Sequence, residues 1–242
     1  MTVNSLSLSP LDEAVRLNNE GAQLLTEGNH SVAIERFKVA LAAFHLASVS
    51  DDEEIKTSNN DVLDSSERLR ISQVSVPGLE DVWFYVFNKA FVLETTCALP
   101  HRHLHLASTA SLLNLCLAFH CGVTKGGATI AKVHKICRLY QMAGRMLETT
   151  SDIVKEQNSI SFMKILVLNN LAHLAFQFDV QDLVNATHLL EDLQFDLAQL
   201  TEAKKCFASF VTMDPVVVHE ITTNTVCVPM LRGSYKASTP AA

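Results

Sequence analysis

The stretch from Ala14 to Ala47 constrains the fold more than any other part of the chain. Small residues recur where two helices would approach each other, Gly21 and Ala22 on the first and Ala33 and Ala40 on the second. Large apolar residues fill the intervals. Leu17, Leu24 and Leu25 share one face of a helix, while Ile34, Phe37, Leu41 and Phe44 step along the next at helical and not strand period. Between them, Glu27-Gly28-Asn29-His30 is a turn: Gly28 tolerates the positive φ that ends a helix, and Asn29 or Ser31 can cap the next one. The expected unit is an antiparallel helix pair that begins near Leu11, with Asp12 and Glu13 where negative charge favours a helix N-terminus.

Counted from Ala14, the residues Gly21, Leu24, Gly28, Ala33, Phe37 and Ala40 fall in a pattern that resembles the tetratricopeptide repeat, a helix–turn–helix unit of about 34 residues. The chain departs from that family with Leu17 in place of Trp and His45 in place of a closing Pro. A lone repeat leaves its apolar face bare, so neighbouring copies are required. Leu17-Asn18-Asn19-Glu20-Gly21 can be laid on Leu112-Leu113-Asn114-Leu115-Cys116 and on Leu168-Asn169-Asn170-Leu171-Ala172, keeping an apolar start, a central Asn and a small residue two positions later. Ile136, Tyr140 and Ala143 then match Ala33, Phe37 and Ala40 after an insertion around Val123 to Ala128, and Ala186, Leu190 and Leu193 match them more loosely. The fold class expected is mainly α, a short tetratricopeptide-like α-solenoid of about three antiparallel helix pairs with a small extended insertion.

Along the chain, residues 1–10 read as a flexible lead-in and 11–213 as one helical domain. Within that domain, 48–70 is an acidic, Ser- and Asn-rich loop, its Ser58, Ser65 and Ser66 lying beside acids. Residues 71–95 form the extended insertion, where Ile71, Val74 and Val76, the turn Pro77-Gly78 and the run Val82 to Phe87 suggest one or two strands packed as an apolar flap on the helices. Helices are expected over Leu104 to Cys121, Thr129 to Thr149, Ser159 to Phe178 and Leu183 to Leu200, the last extending toward Met213. Asp214-Pro215 stops it, and 214–242 reads as an extended or poorly ordered tail.

The resemblance implies a function. In tetratricopeptide proteins the first helix of each repeat lines a concave groove, and an Asn two positions before the small residue bonds the backbone of an extended peptide there. Asn19, Asn114 and Asn170 match that position, and His173 faces the same groove. Asn suits the task because it carries a donor and an acceptor together; the competing structural role is a polar contact between helices inside the stack. The family's clamp for a terminal carboxylate needs basic residues where this chain has Asn18, Asn169 and His173. The expectation is therefore a non-catalytic scaffold or adaptor that binds a protein or peptide partner without a cofactor.

A net charge of −7 with 19 Lys plus Arg argues against nucleic acid. The N-terminal residues lack the charged and apolar regions of a secretory signal, and the apolar stretches around Ser111 to Gly122 and Phe162 to Phe178 are shorter than the ~20 residues a spanning helix needs. Scattered cysteines without a Cys-x-x-Cys pair suit free thiols in a reducing compartment, so a cytoplasmic protein away from membranes is expected. Self-association is a further expectation, because a short stack has apolar ends. The alternative from another class is an enzyme binding a metal or small molecule through His101, His103, His105 and His120, with the aromatic run Trp83 to Phe87 as a wall. On a helix, however, the alternating histidines would scatter around the axis.

Overall fold

The computed structural model describes residues 9–54, 69–79, 84–95, 99, 101–126, 128–150, 157–178, 180, 188–189, 191–196 and 216–225. It is mainly helical, with one small antiparallel sheet. The long helices are α1 (Pro10–Thr26), α2 (His30–Glu54), α3 (His101–Thr124), α4 (Ile130–Thr150) and α5 (Gln157–Gln177). Between α2 and α3 run β1 (Leu69–Ser75) and β2 (Lys89–Thr95). Two shorter helical segments follow, α6 (191–196) and α7 (216–225). From α1 to α5 each helix packs on the next in chain order, and β2 lies against both α1 and α3.

Local chemistry explains where the first pair starts and turns. Ser9 caps α1, its Oγ accepting from the Asp12 N–H at 3.1 Å, and Pro10 occupies the first turn, where a missing N–H does no harm. At the other end the Asn29 N–H donates to Leu24 O at 2.8 Å and the Gly28 N–H to Leu25 O at 3.0 Å, a Schellman motif with Gly28 at φ +79°. Small residues then bring α1 against α2. A Cβ added to Gly21 would lie 2.5 Å from the Phe37 ring, which is itself wholly buried beside Ala33 and Ala40.

Three stretches differ from the sequence reading. The helix expected to stop near Ala47 continues to Glu54, so the first part of the acidic 48–70 loop is helical and its last residues, Leu69 and Arg70, begin β1; residues 55–68, with Ser58, Ser65 and Ser66, lie outside the described residues. The second strand is Lys89–Thr95 and not the aromatic run before it, while Trp83 is outside the described residues. Residues 216–225, expected in an extended or poorly ordered tail, form α7, anchored by buried Val217 and Ile221 one turn apart. The expected extension of the last helix pair to Met213 lies outside the described residues, as does most of Leu183 to Leu200.

The extended segment does not sit on the stack as an outer flap. Phe84, Val86, Phe87, Ala90, Phe91 and Leu93 are all buried, part of one core with the helices. Helices α3 and α5 are apolar on most sides for the same reason. Over His103–Thr124 and Ser159–Gln177 they are long and apolar enough by length and composition to cross a membrane, which corrects the shorter estimate from sequence, and most of each lies buried within the protein.

Candidate functional site

The asparagines singled out by sequence converge on one object, the chain's own extended segment. Asn19 on α1 accepts the Leu93 N–H at 2.9 Å and donates to the Leu93 carbonyl at 2.7 Å. Asn114 on α3 does the same for Phe91, at 2.7 and 2.8 Å. On α5, Asn170 holds Phe87 at 2.8 and 3.0 Å. A fourth asparagine, Asn224 on α7, holds Tyr85 at 2.9 and 2.8 Å. Each side-chain amide thus grips the N–H and C=O of one residue, a match that a carboxylate, which only accepts, cannot make, and that a hydroxyl, with donor and acceptor on one atom, cannot span in the same way.

Within β2, strand geometry explains why Phe91 and Leu93 are the residues held. In an antiparallel ladder, alternate residues turn their N–H and C=O toward the neighbouring strand and the rest turn them away. The register pairs Ala90 with Val74, Val92 with Ser72 and Glu94 with Arg70, and the Val76 N–H continues it to the Asn88 carbonyl at 2.7 Å. Even-numbered residues therefore face β1, and the outward groups of Phe91 and Leu93 meet α3 and α1. The segment is bonded on one edge by a strand and on the other by helix side chains.

The arrangement occurs twice. Asn18, next to Asn19, donates to the Phe91 carbonyl at 3.0 Å and to Asn19 Oδ1 at 3.1 Å, and accepts from Asn114 Nδ2 at 3.0 Å. Asn169, next to Asn170, donates to the Tyr85 carbonyl at 3.0 Å and to Asn170 Oδ1 at 3.2 Å, and accepts from Asn224 Nδ2 at 2.7 Å. An Asn-Asn doublet on one helix and a single Asn on the next thus form a clamp of seven hydrogen bonds, first on α1 and α3, then on α5 and α7. The asparagines thus bond the backbone of the chain's own extended segment and also bond each other between helices.

The two clamps meet at a wider joint. Phe87 and Phe91 lie four residues apart, about 13 Å of strand, twice the spacing inside either clamp. Their rings stack at 5.9 Å across this joint, and a cavity of about 10 Å³ beside them is lined by Tyr140, Asn170, Leu117 and Leu166 among others. Tyr140 Oη accepts from Asn170 Nδ2 at 3.2 Å and lies 3.3 Å from His120 Nδ1, while His120 Nε2 lies 2.9 Å from His173 Nδ1. This chain of bonds can run in either direction according to the histidine tautomers; in one of them the tyrosine donates to His120 and His120 donates to His173. Burial, reinforced by His173, holds the His120 pKa well below its usual value, and burial raises that of Tyr140 well above its own. His173 also stands 5.4 Å from the Phe84 ring, so it does face the segment.

The remaining histidines do not gather. His103 is buried near the start of α3 while His105, two residues on, is exposed and lines an open cavity of about 170 Å³ with His45. His120 is farther along the same helix by 17 residues, about 25 Å. The side chain of His101 lies outside the described residues, and among those described no three His, Cys, Asp or Glu side chains are grouped to hold a metal ion. Cys116, Cys121 and Cys137 are free and buried, with burial pushing Cys121 up to about 12 and Cys137 to about 11.

Asn18, Asn169 and Asn224 are the clamp residues that sequence reasoning missed. The doublet is an unspecific signal in the sequence, since Asn-Asn occurs at 18–19 and 169–170 but also at 59–60, outside the described residues. Asn224 sits among Thr222, Thr223 and Thr225, where β-branched neighbours mask a helix. No protein-family model, curated protein or solved structure matches the chain.

Proposed function

We propose that the protein is a non-catalytic interaction scaffold, a tetratricopeptide-like helical stack whose groove takes an extended peptide by its backbone, and that residues 84–95 are the groove's resident occupant. The observation that supports this is the pair of seven-bond clamps, in each of which five bonds go to main-chain atoms of the segment and so are blind to the side chains of whatever strand lies there. The net charge of −7 favours a protein partner over nucleic acid. The free thiols agree with a reducing, cytoplasmic setting.

An incoming peptide must displace the occupant, and the two ends differ in how firmly it is held. Lys89–Thr95 is paired with β1 along its other edge, whereas Tyr85–Phe87 lies beyond that pairing. Exchange begins at the α5/α7 clamp. Tyr85 is only half-buried, and Tyr85→Pro removes the N–H that Asn224 accepts while leaving the core side chains in place.

The test is fluorescence polarisation of a labelled peptide with the sequence of residues 84–95. It is titrated with the wild type, with Tyr85→Pro, and with Tyr85→Pro plus Asn170→Ala, after equal helical signal has been verified. Binding is expected to Tyr85→Pro, at least tenfold weaker to the wild type, and lost in the double variant. Equal binding to all three would place any peptide site outside the groove.

A further inference from the structure

The two clamps hold the same kind of sequence. Tyr85-Val86-Phe87 occupies the α5/α7 clamp and Phe91-Val92-Leu93 occupies the α1/α3 clamp, six residues apart in the chain. In each, the aromatic residue is held by the lone asparagine and the large apolar residue by the second asparagine of the doublet. The valine stands between them with its backbone turned the other way. We propose that the partner of this groove is a protein segment carrying an aromatic–Val–large-apolar tripeptide in extended form, and that it replaces Tyr85–Phe87 in the α5/α7 clamp. This rests on the groove reading above and adds the chemistry of the ligand.

Because the asparagines meet the segment only at its main chain, selection must come from the pockets around the segment's side chains. Phe87 and Leu93 are both buried, and Phe87 meets Phe162 edge to face at 6.4 Å. A polar residue there would be buried without a partner. Valine at the centre favours extended backbone through its β-branching, so less conformational freedom is lost on entering the clamp. Val86 is itself buried. At the aromatic position Phe91 is buried and Tyr85 half-buried, which admits either ring and leaves room for a hydroxyl at the α5/α7 end. Ahead of the tripeptide, Phe84 packs 5.4 Å from His173 and 6.2 Å from Phe176, while the corresponding position in the other clamp is Ala90. An aromatic at this preceding position strengthens binding at α5/α7 without being required.

Three labelled hexapeptides separate the ligand chemistry from the groove itself, titrated against the Tyr85→Pro protein and against the same protein with Asn170→Ala. The first is Phe-Tyr-Val-Phe-Asn-Lys. The second carries Ser in place of Val and of the second Phe. The third is the first with the amide nitrogen of that second Phe methylated, which removes the N–H that Asn170 would accept. The first is expected to bind, the second at least tenfold more weakly, the third not measurably, and none to the Asn170→Ala protein. Equal binding of the first and second with loss of the third would overturn the tripeptide and leave a sequence-blind groove standing. If methylation and Asn170→Ala leave binding unchanged, or if no peptide binds the folded Tyr85→Pro protein, the groove reading fails and the tripeptide with it.

Discussion

The α1/α3 and α5/α7 clamps repeat the same seven hydrogen bonds, to which Asn170 adds one to Tyr140 Oη, and they differ in what lies behind the strand they hold. At α1/α3 the strand has β1 on its far edge, so Phe91 and Leu93 sit in a sheet two strands wide that is closed by helix side chains. At α5/α7 the same bonds hold Tyr85 and Phe87, but the pairing with β1 stops at Lys89 with one further bond at Asn88. The two frameworks also differ: α1, α3 and α5 belong to the sequentially packed stack, whereas α7, described over residues 216–225, is anchored by Val217 and Ile221. On the proposed reading, the same local chemistry gives a permanent element at one end and an exchangeable one at the other. What decides is the number of independent attachments, not the strength of any bond.

The largest effect should separate the single asparagines of the two clamps. Asn114→Ala leaves the Phe91 N–H and C=O buried without that partner and removes the bond to Asn18, so unfolding free energy is expected to fall by about 3 kcal/mol. Asn224→Ala removes the equivalent bonds where the strand end can lift into water, with a loss of about 1 kcal/mol. Urea denaturation followed by helical signal measures both, and equal losses would break the comparison.

Gly21 supports the permanent clamp from behind. Two residues after Asn19 it faces Phe37, and Gly21→Ala would force a methyl into that ring, lowering stability by about 2 kcal/mol in the same experiment. Gly122, near the end of α3, has open space where a Cβ would go, and Gly122→Ala should be neutral or slightly stabilising. A similar loss at both sites would remove the close α1–α2 approach from the account.

A smaller effect comes from the joint between the clamps. With its pKa held well below the ordinary value by burial, His120 stays neutral in the fold, while the unfolded chain takes up a proton below about pH 6.5. The unfolded state then binds more protons, so its contribution to stability is complete above pH 6.5 and falls as pH drops, by about 1 kcal/mol at pH 5.5. The stability difference between pH 7 and 5.5 should be smaller by that amount in His120→Phe than in the wild type. An unchanged pH dependence would show that His120 is not held neutral.

Much of the framework was legible in the sequence. The helical period of Leu17 to Phe44, the Gly28 turn and the approach of Gly21 to Phe37 follow from residue size and backbone freedom within a short window. Asn19, Asn114 and Asn170 were singled out as backbone-bonding positions through the resemblance to the tetratricopeptide repeat. What they bond was not legible. The contacts join residues separated by 74, 23, 83 and 139 positions, and no local pattern says whether an extended strand comes from the same chain or another. The aromatic run before Lys89 read as a strand, yet side chains supply its main-chain partners, so β propensity alone misplaced the pairing. Helix α7 was hidden by its threonines, whose weak helix propensity is overridden by the burial of Val217 and Ile221.

The most direct test of the central claim is amide hydrogen exchange across residues 84–95 in the wild type, Asn170→Ala and Asn114→Ala proteins. If two clamps of unequal permanence hold the segment, the amides of Tyr85 and Phe87 exchange at least tenfold faster than those of Phe91 and Leu93 in the wild type. Asn170→Ala should then release the first pair while the second stays protected, and Asn114→Ala should weaken protection of both. A single rate across the segment, unchanged by either substitution, would contradict the account, because the asparagines would then not be what holds the strand.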